Sequence, residues 1–568
     1  MEKRWVPVPE CSEDQVGKLA LELGIDQTLS RILVQRGICS FDAARDFFRP
    51  QISHLHDPFL MKDMDIAVAR IRRAIASGER IMVFGDYDVD GTTAVTVVYS
   101  FLAGLAEHLE YYIPDRYAEG YGVSYKGIDC AEAHGASLII ALDCGIKSVA
   151  EVAYARQKGI DFIVCDHHLP GPALPDAVAI LDPKRNDCSY PFEELCGCGI
   201  GFKLTQALCK SLGLDETLPL RYLDLVMVAI AADIVPVVGE NRVLAYHGLK
   251  KLNENPSRGL YALMEVAGKT GGYTLTDVVF SIGPRINAAG RMDHASHAVE
   301  MLLSAENVAA QAQSLLINDK NAARKMFDQD ITREALAQIE ADELMLKQKT
   351  TVVYSESWHK GVIGIVASRL TEKYYRPTIV LTAANGHVAG SARSVAGFDL
   401  YEALQGCAHL LDQFGGHRFA AGLTMRRENV EAFRQKFEEV VAASINEDLL
   451  TPVIPIDATL GLAQITGKFA RILAQMGPFG PHNMAPVFVS VNVMAAFEPA
   501  VVGGNHLRLA VKQENSAIFE AIAFGQADML PALRTGMPFS ICYTIEENTW
   551  RDKKRLQLNI KAIRPQNG

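Results

Sequence analysis

Three short apolar runs constrain this chain more than any other feature: IMVF (Ile81 to Phe84), SLIIAL (Ser137 to Leu142) and DFIVC (Asp161 to Cys165). Each is too short for a helix and rich in β-branched residues, so each reads as a buried parallel strand. Each also runs into an acidic or histidine-bearing string: DYDVDG (Asp86, Asp88, Asp90), LDCG (Asp143) and DHH (Asp166, His167, His168). In an open α/β sheet, ligands bind in the crevice outside the carboxyl ends of the strands, so groups far apart in sequence converge there. Carboxylates and imidazoles gathered at one such edge are what a pair of divalent cations needs.

At 568 residues and 49% hydrophobic composition, the chain exceeds what one core covers, since single cores stop growing near roughly 250–300 residues. The expected architecture is α/β and multidomain. Residues 1–58 read as a helical lead-in. Residues 59–317 form a parallel-sheet domain in which helices at Ile66 to Ala76, Thr92 to Leu105 and Val149 to Lys158 alternate with strands. Residues 318–347, charged and free of Gly and Pro, predict one extended connecting helix. Residues 348–448 form a second α/β domain. Its strands TTVVY and PTIVLT lead to GSARS (Gly390 to Ser394) and GGHRFAAG (Gly415 to Gly422), read as Gly-rich turns feeding helices, where Arg393, His417 and Arg418 add charge for an anion. Residues 449–568 carry short alternating runs such as HLRLAVK, FSICYTIEE and RLQLNIKAI, the pattern of a small oligonucleotide-binding β-barrel.

The net charge of −11 argues against coating duplex DNA by general electrostatics, which needs excess Lys and Arg. Any nucleic-acid binding is local. The start, MEKRWVPVPE, has no signal-like apolar segment, and no charge-free run reaches the ~18 residues of a membrane span. Eleven cysteines, several in apolar strings (Cys144, Cys165, Cys209), suit reduced buried thiols in the cytoplasm.

A two-cation phosphoryl-transfer site needs a bridging carboxylate, terminal carboxylates and an open position. Asp143 is the bridge candidate, Asp88 serves one ion, Asp90 and His167 the other, and Asp86 is a further ligand or supporting acid. Oxygen ligands with imidazole suit Mn2+ or Mg2+, and the histidine favours Mn2+. His168 is expected to face the substrate, as a donor or proton carrier at the phosphate.

In these residues the chain resembles the DHH phosphoesterase superfamily, and within it the RecJ single-stranded-DNA exonucleases. DYDVDGT, ALDCGI, CDHH, CGCGIGFKL and AADIVP are similar to motifs of that family's catalytic domain; GPRINAAGRM, WHKGVIGIVASRL, GSARS and GGHRFAAG are similar to its later core and its DHH-associated domain. The resemblance covers about residues 60–425, with the barrel after it. It adds Asp233, in AADIVP, to the ligands of the second ion. It implies 5′-to-3′ hydrolysis of single-stranded DNA to mononucleotides in recombination and repair, alongside a single-strand-binding protein and a helicase. It also implies a pocket of Arg116, Ser391 and Arg393 for the terminal 5′ phosphate, and Arg285 and Arg291 as clamps near the scissile bond.

A groove between the two lobes is expected to admit one strand and exclude a duplex, with Tyr121, Trp358 and Phe419 as stacking candidates. Cys196 and Cys198 place thiols in a Gly-rich turn where the family has at most one such residue. With Cys188 they lack a fourth zinc ligand at metal spacing, so oxidation sensitivity, if exposed, is their expected consequence. Phosphoesterases of short oligonucleotides or cyclic dinucleotides and family II pyrophosphatases share the cation cluster, but the first two lack the terminal barrel and the last are much shorter. A silent single-strand-binding scaffold is disfavoured because the acidic residues are retained. A monomer is expected, since the site is complete within one chain.

Overall fold

A computed structural model of the chain describes residues 3–384, 386–550 and 553–565. It divides into two compact units, one of Met1–Val6 with Asp319–Ile454, the other of Pro7–Asn318 with Pro455–Gly568. No helix among the described residues is long and apolar enough to cross a membrane.

The first segment departs from the helix-and-loop expectation. Strand β1 (Arg4–Pro7) pairs with the distant strand Val453–Ile456. Helices α1 (Glu13–Leu23), α2 (Gln27–Gln35) and α3 (Phe41–Phe48) follow, N-capped by Ser12, Asp26 and Ser40 through side-chain oxygens.

Next come α4 (Met64–Ala76) and the parallel sheet: β2 (Arg80–Gly85), α5 (Val89–Leu102), β3 (Leu109–Tyr112), α6 (Tyr125–Ala133), β4 (Ala136–Leu142), α7 (Val149–Gln157), β5 (Asp161–Cys165) and β6 (Ala179–Leu181), in spatial order β3-β2-β4-β5-β6. The strands are apolar on both faces because both are covered. Val83, Leu138, Ile140 and Ile163 join one core, whereas Met82, Phe84, Ile139 and Phe162 join another with Ile128 of α6 and Val152 of α7. The first core also takes in α8 (Gly197–Leu212), α9 (Leu223–Ala232) and α10 (Gly239–Glu254). Helix α11 (Gly283–Met292) follows.

The connecting helix differs from its expected span. Helix α12 (Asn307–Ala341) begins eleven residues earlier and stops before Asp342, whose extended backbone (φ −113°, ψ 100°) and side chain cap a separate helix, α13 (Glu343–Lys347).

In the second unit β7 (Thr351–Ser355), α14 (Ile363–Tyr374), β8 (Thr378–Ala384), β9 (His387–Arg393), β10 (Gln413–His417) and β11 (Ala420–Met425) form a sheet of order β10-β11-β9-β8-β7. GSARS and GGHRFAAG are therefore not turns feeding helices. They are antiparallel strands, with Gly422 opposite Ser391 and Ala420 opposite Arg393. Gly390 serves close packing: a Cβ there would stand 2.6 Å from a Leu381 methyl and 2.9 Å from Leu423 Cγ. Trp358, a stacking candidate, is instead core, 4% exposed, with its indole N–H donated to Glu334 at 2.8 Å.

After β12 (Val453–Ile456), strands β13 (Ala458–Thr459), β14 (Phe488–Ala495), β15 (Ala500–Val502), β16 (His506–Lys512), β17 (Phe519–Ala523), β18 (Phe539–Trp550) and β19 (Lys553–Pro565) take the order β13-β14-β18-β19-β17-β16-β15, with a β14–β16 pairing that closes the barrel. Its core residues Phe488, Leu507, Leu509 and Tyr543 pack with Val16, Leu19, Leu29 and Ile32. The N-terminal helices thus complete the hydrophobic core of a barrel more than four hundred residues downstream. Arg242 of α10 fastens the same corner: its guanidinium lies 3.7 Å over the Phe47 ring and donates to the carbonyls of Phe47 and Gly477.

Candidate metal centre

The chain passes from β2 to β3 on one side and then to β4 on the other, so a crevice opens outside the carboxyl ends of β2 and β4. Asp86 leaves β2 into it. Asp86 Oδ1 accepts the Gly122 N–H at 3.2 Å, and Oδ2 is buried with no hydrogen-bond partner. Asp88 N-caps α5, accepting the Gly91 N–H at 3.0 Å. Only glycine fits at 91, since a Cβ there would stand 2.4 Å from the Asp86 carbonyl oxygen.

Asp90, in the first turn of α5, accepts the N–H groups of Gly197 and Cys198 at 2.7 Å each, one on each carboxylate oxygen. These amides open α8, so a helix N-terminus anchors the carboxylate. Gly197 also lets α8 approach Asp143, whose Cβ would lie 2.6 Å from an added Cβ. Cys196 and Cys198 belong to this helix start, not to an exposed turn. Both are fully buried, Cys196 Sγ caps α8 by accepting the Gly199 N–H, and burial pushes both thiols well up. The exposure their oxidation requires is therefore missing.

Asp143 leaves β4 in the left-handed region (φ 60°), a backbone strain characteristic of functional sites. Its Oδ1 lies 3.1 Å from His167 Nε2. That nitrogen also lies 3.6 Å from Asp233 Oδ2 and 3.8 Å from Asp90 Oδ2. Asp233 ends α9, and the next residue, Ile234, is a β-branched residue in the left-handed region (φ 61°).

Asp166 is the organiser that sequence reasoning left without a role. Its Oδ1 takes the N–H of His167 and of His168 and sits 2.7 Å from His168 Nδ1, while Oδ2 takes the Ile146 N–H. Burial works to raise its pKa, but the hydrogen bond and charge of His168 prevail and hold it at about 2. His168 Nε2 lies 3.2 Å from the Tyr121 hydroxyl, which donates to the Asp143 carbonyl at 3.0 Å. Tyr121, a stacking candidate by sequence, is thereby tied into the site.

The electrostatics are those of crowded anions. Burial, then the charge of Asp88, pushes Asp90 up to about 6 and drives Asp86 well above the usual carboxylate range. Burial, then Asp90, does the same to Asp143 and Asp233. Burial, then His168, pulls His167 down to about 3, so its ring is neutral. Asp86 Oδ2, Asp143 Oδ1 and both ring nitrogens of His167 are buried without hydrogen-bond partners. Leaving such atoms unsatisfied costs about 1–3 kcal/mol each. Divalent cations fit this donor set. Ligand atoms of Asp143, His167 and His168 lie within 4.8 Å of one another, as do those of Asp90, His167 and Asp233.

Of the arginines expected at substrate, Arg116 lies 4.6 Å over the Tyr87 ring, in the DYDVDG string. Arg291 lies on α11, and its carbonyl accepts the Tyr117 hydroxyl. Gly290 brings α11 against that string, for its Cβ would meet the Tyr87 carbonyl oxygen at 2.9 Å. Arg285 is engaged in the fold, donating to the Ser281 carbonyl at 2.7 Å and to Asn318 Oδ1 at 3.1 Å.

In the other unit, Arg393 Nη1 donates to Ser391 Oγ at 3.2 Å. Both side chains reach the first turn of α14, where a Cβ on Gly364 would lie 2.9 Å from Ser391 Oγ and 3.1 Å from Arg393 Nη2. Hydroxyl, guanidinium and helix N-terminus together suit a phosphate. His417 ends β10 opposite Ala420, and Phe419 is half exposed.

Models of the DHH family N-terminal domain, the DHHA1 domain and the RecJ OB domain match residues 80–230, 347–443 and 456–562. The single-stranded-DNA-specific exonuclease RecJ of Bacillus subtilis is 36% identical over 562 residues, covering 98% of this chain and 70% of that protein. RecJ of Escherichia coli is 34% identical over 586 residues, 99% of this chain and 100% of that protein. Among solved structures, RecJ in complex with Mn2+ from Thermus thermophilus matches with a TM-score of 0.85 at 28% identity, covering 100% of this chain and 80% of that one. The same protein with Mg2+ matches at 0.79 and 26%, covering 100% of this chain and 79% of that one.

Proposed function

The chain belongs to the RecJ family of single-stranded-DNA-specific exonucleases, and from that premise we propose that it hydrolyses linear single-stranded DNA from the 5′ end, releasing 5′-mononucleotides, with two divalent cations in the β2/β4 crevice. The observation that carries this reading is the pair of buried, unpartnered ligand atoms, Asp143 Oδ1 and His167 Nε2, with His167 common to two candidate ligand groups. Asp143 would be shared by the two ions, Asp88 and Asp86 would serve one, and Asp90, His167 and Asp233 the other. Mn2+ or Mg2+ suits these ligands. When bound, such ions activate a water and neutralise charge on the attacking and leaving oxygens.

The chain's own residues do the rest. Asp166 fixes the imidazole of His168, which holds a proton at a non-bridging oxygen of the scissile phosphate. Arg285 and Arg291 hold the backbone near that phosphate. Arg116 contacts phosphate beside Asp86, and Ser391 and Arg393 take the terminal 5′ phosphate; His417 adds a further contact on its own sheet. The barrel holds the strand by stacking and backbone charge. The enzyme works as a cytoplasmic monomer in recombination and repair, fed by a helicase and a single-strand-binding protein.

The test is digestion of a single-stranded oligomer labelled at either end, with Mn2+ supplied, beside a blunt duplex, a circular strand and a dinucleotide. Mononucleotides released from the 5′ end of the linear single strand alone support the reading. Cleavage confined to the dinucleotide, or release from the 3′ end, contradicts it.

A further inference from the structure

The WHKGVIG string supplies one ring, and helix α12 the other, of a pair that the function above leaves unused. Phe327 of α12 and His359, in the turn before α14, stack with ring centroids 5.4 Å apart and planes inclined by 30°. Phe327 is 44% exposed and its neighbour Met326 is 66% exposed, on a helix whose inner face is buried through Asn321, Arg324, Asp328 and Ile331. Phe327 thus packs against His359 while leaving nearly half of its surface open on a helix whose other side is fixed.

Both rings are held in advance. Trp358 anchors the turn through Glu334 and through its carbonyl, which accepts the Thr382 hydroxyl at 2.6 Å. His359 Nδ1 accepts the Gly361 N–H at 3.1 Å, fixing the ring and its tautomer. Asp328 grips Arg369 of α14 with two hydrogen bonds of 2.8 and 2.7 Å, one residue from Phe327. Pre-organised, sequence-tolerant ring faces are what a protein uses to hold unpaired bases.

We propose that Phe327 and His359 form a stacking platform for a nucleobase of the bound single strand, a few nucleotides at most from the phosphate on Ser391 and Arg393. This deepens the reading above and rests on it. Continuity with the phosphate site selects the occupant. His359 and Gly364 are five residues apart, so at most about 18 Å of backbone separates the turn that carries the ring from the helix turn that Ser391 and Arg393 face. Lys325 and Lys360, both exposed, flank the rings with charge for the backbone. Burial lowers the His359 pKa, so the ring is neutral at neutral pH and acts as a face for stacking and not as a point charge.

The experiment compares wild type, Phe327→Ala and Phe327→Trp, as full chains with Mn2+, on a 5′-phosphorylated single-stranded 12-mer and on 12-mers carrying one abasic site at successive positions. Stacking of one base is worth about 1–3 kcal/mol, so Phe327→Ala is expected to raise KM about tenfold with kcat nearly unchanged, and Phe327→Trp to restore it. One abasic position should cost the wild type about tenfold and the alanine variant almost nothing. An unchanged KM in Phe327→Ala, or the same abasic penalties in both proteins at every position, overturns the platform. A wild type that neither binds nor digests the 12-mer removes the function proposed above and the platform with it, whereas a digesting wild type with an indifferent variant overturns the platform alone.

Discussion

His167 Nε2 stands 3.1 Å from Asp143 Oδ1, and neither buried atom has a hydrogen-bond partner. Two buried polar atoms left unsatisfied at this distance are a poor arrangement for a protein in isolation and a good one for ligands of a shared cation. The rest of the site is explained by what holds these two atoms there: the left-handed turn at Asp143, the packing of α8, and the Asp166 anchor beneath the histidines.

Gly197→Ala tests the packing of α8. The added methyl would lie 2.6 Å from Asp143 Cβ and 2.8 Å from its Cα, so the helix must retreat and the two amide hydrogen bonds to Asp90 lengthen. The expected cost is about 1–3 kcal/mol in stability, read as a lowered denaturation midpoint, with loss of digestion beyond what the lost stability explains. A variant that melts and digests like the wild type contradicts the tight apposition.

Asp166→Asn keeps the shape of the anchor and removes its charge. Residues that orient the groups around a metal typically contribute 10–100-fold, so kcat should fall by about that factor while the KM for single-stranded DNA moves little. His168→Gln added to Asp166→Asn should then cost almost nothing more, because both changes disable one unit. Additive losses would separate the two residues.

Lys203 and Glu240 form a buried pair, 0% and 1% exposed at their side chains with Nζ–Oε1 at 2.5 Å. Glu240 also accepts the Tyr190 hydroxyl and the His56 N–H, and Lys203 donates to the His56 carbonyl. Lys203→Met leaves a buried carboxylate without its cation and should lower unfolding free energy by about 3–5 kcal/mol in urea titration. Adding Glu240→Gln should recover part of that. If Lys203→Met unfolds at the wild-type midpoint, the network contributes nothing to the fold.

Much of the fold and the cluster was legible in sequence because both rest on local pattern. The strands before Asp86, Asp143 and Asp166 are continuous apolar runs between turn residues, and a doubly covered parallel sheet forces that pattern. Helix α12 was legible in type but not in its ends, because its stop depends on how the Asp342 side chain caps the next helix. The strands carrying GSARS and GGHRFAAG were misread because their glycines look like turn residues, and only the facing Leu381 and Leu423 side chains reveal close strand packing. The service of α1 and α2 to the barrel core joins residues at opposite ends of the chain, which no local pattern encodes. In the site, the contacts of the Tyr121 hydroxyl and of the α8 amides were missed for the same reason, although the CGCGIG string, rich in glycine before an apolar helical run, was a readable helix start.

Whether the cluster holds two divalent cations through Asp143 is read by titration calorimetry of Mn2+ into the metal-stripped chain, beside the same titration of Asp143→Ala. Two Mn2+ per wild-type chain are expected, with a rise in melting temperature of the kind that ligand binding to the native state brings. Asp143→Ala should lose that binding and more than about 100-fold of kcat, since a ligand should matter more than the residues that orient it, yet still bind single-stranded DNA. One ion or none in the wild type, or undiminished Mn2+ binding in Asp143→Ala, would contradict the account.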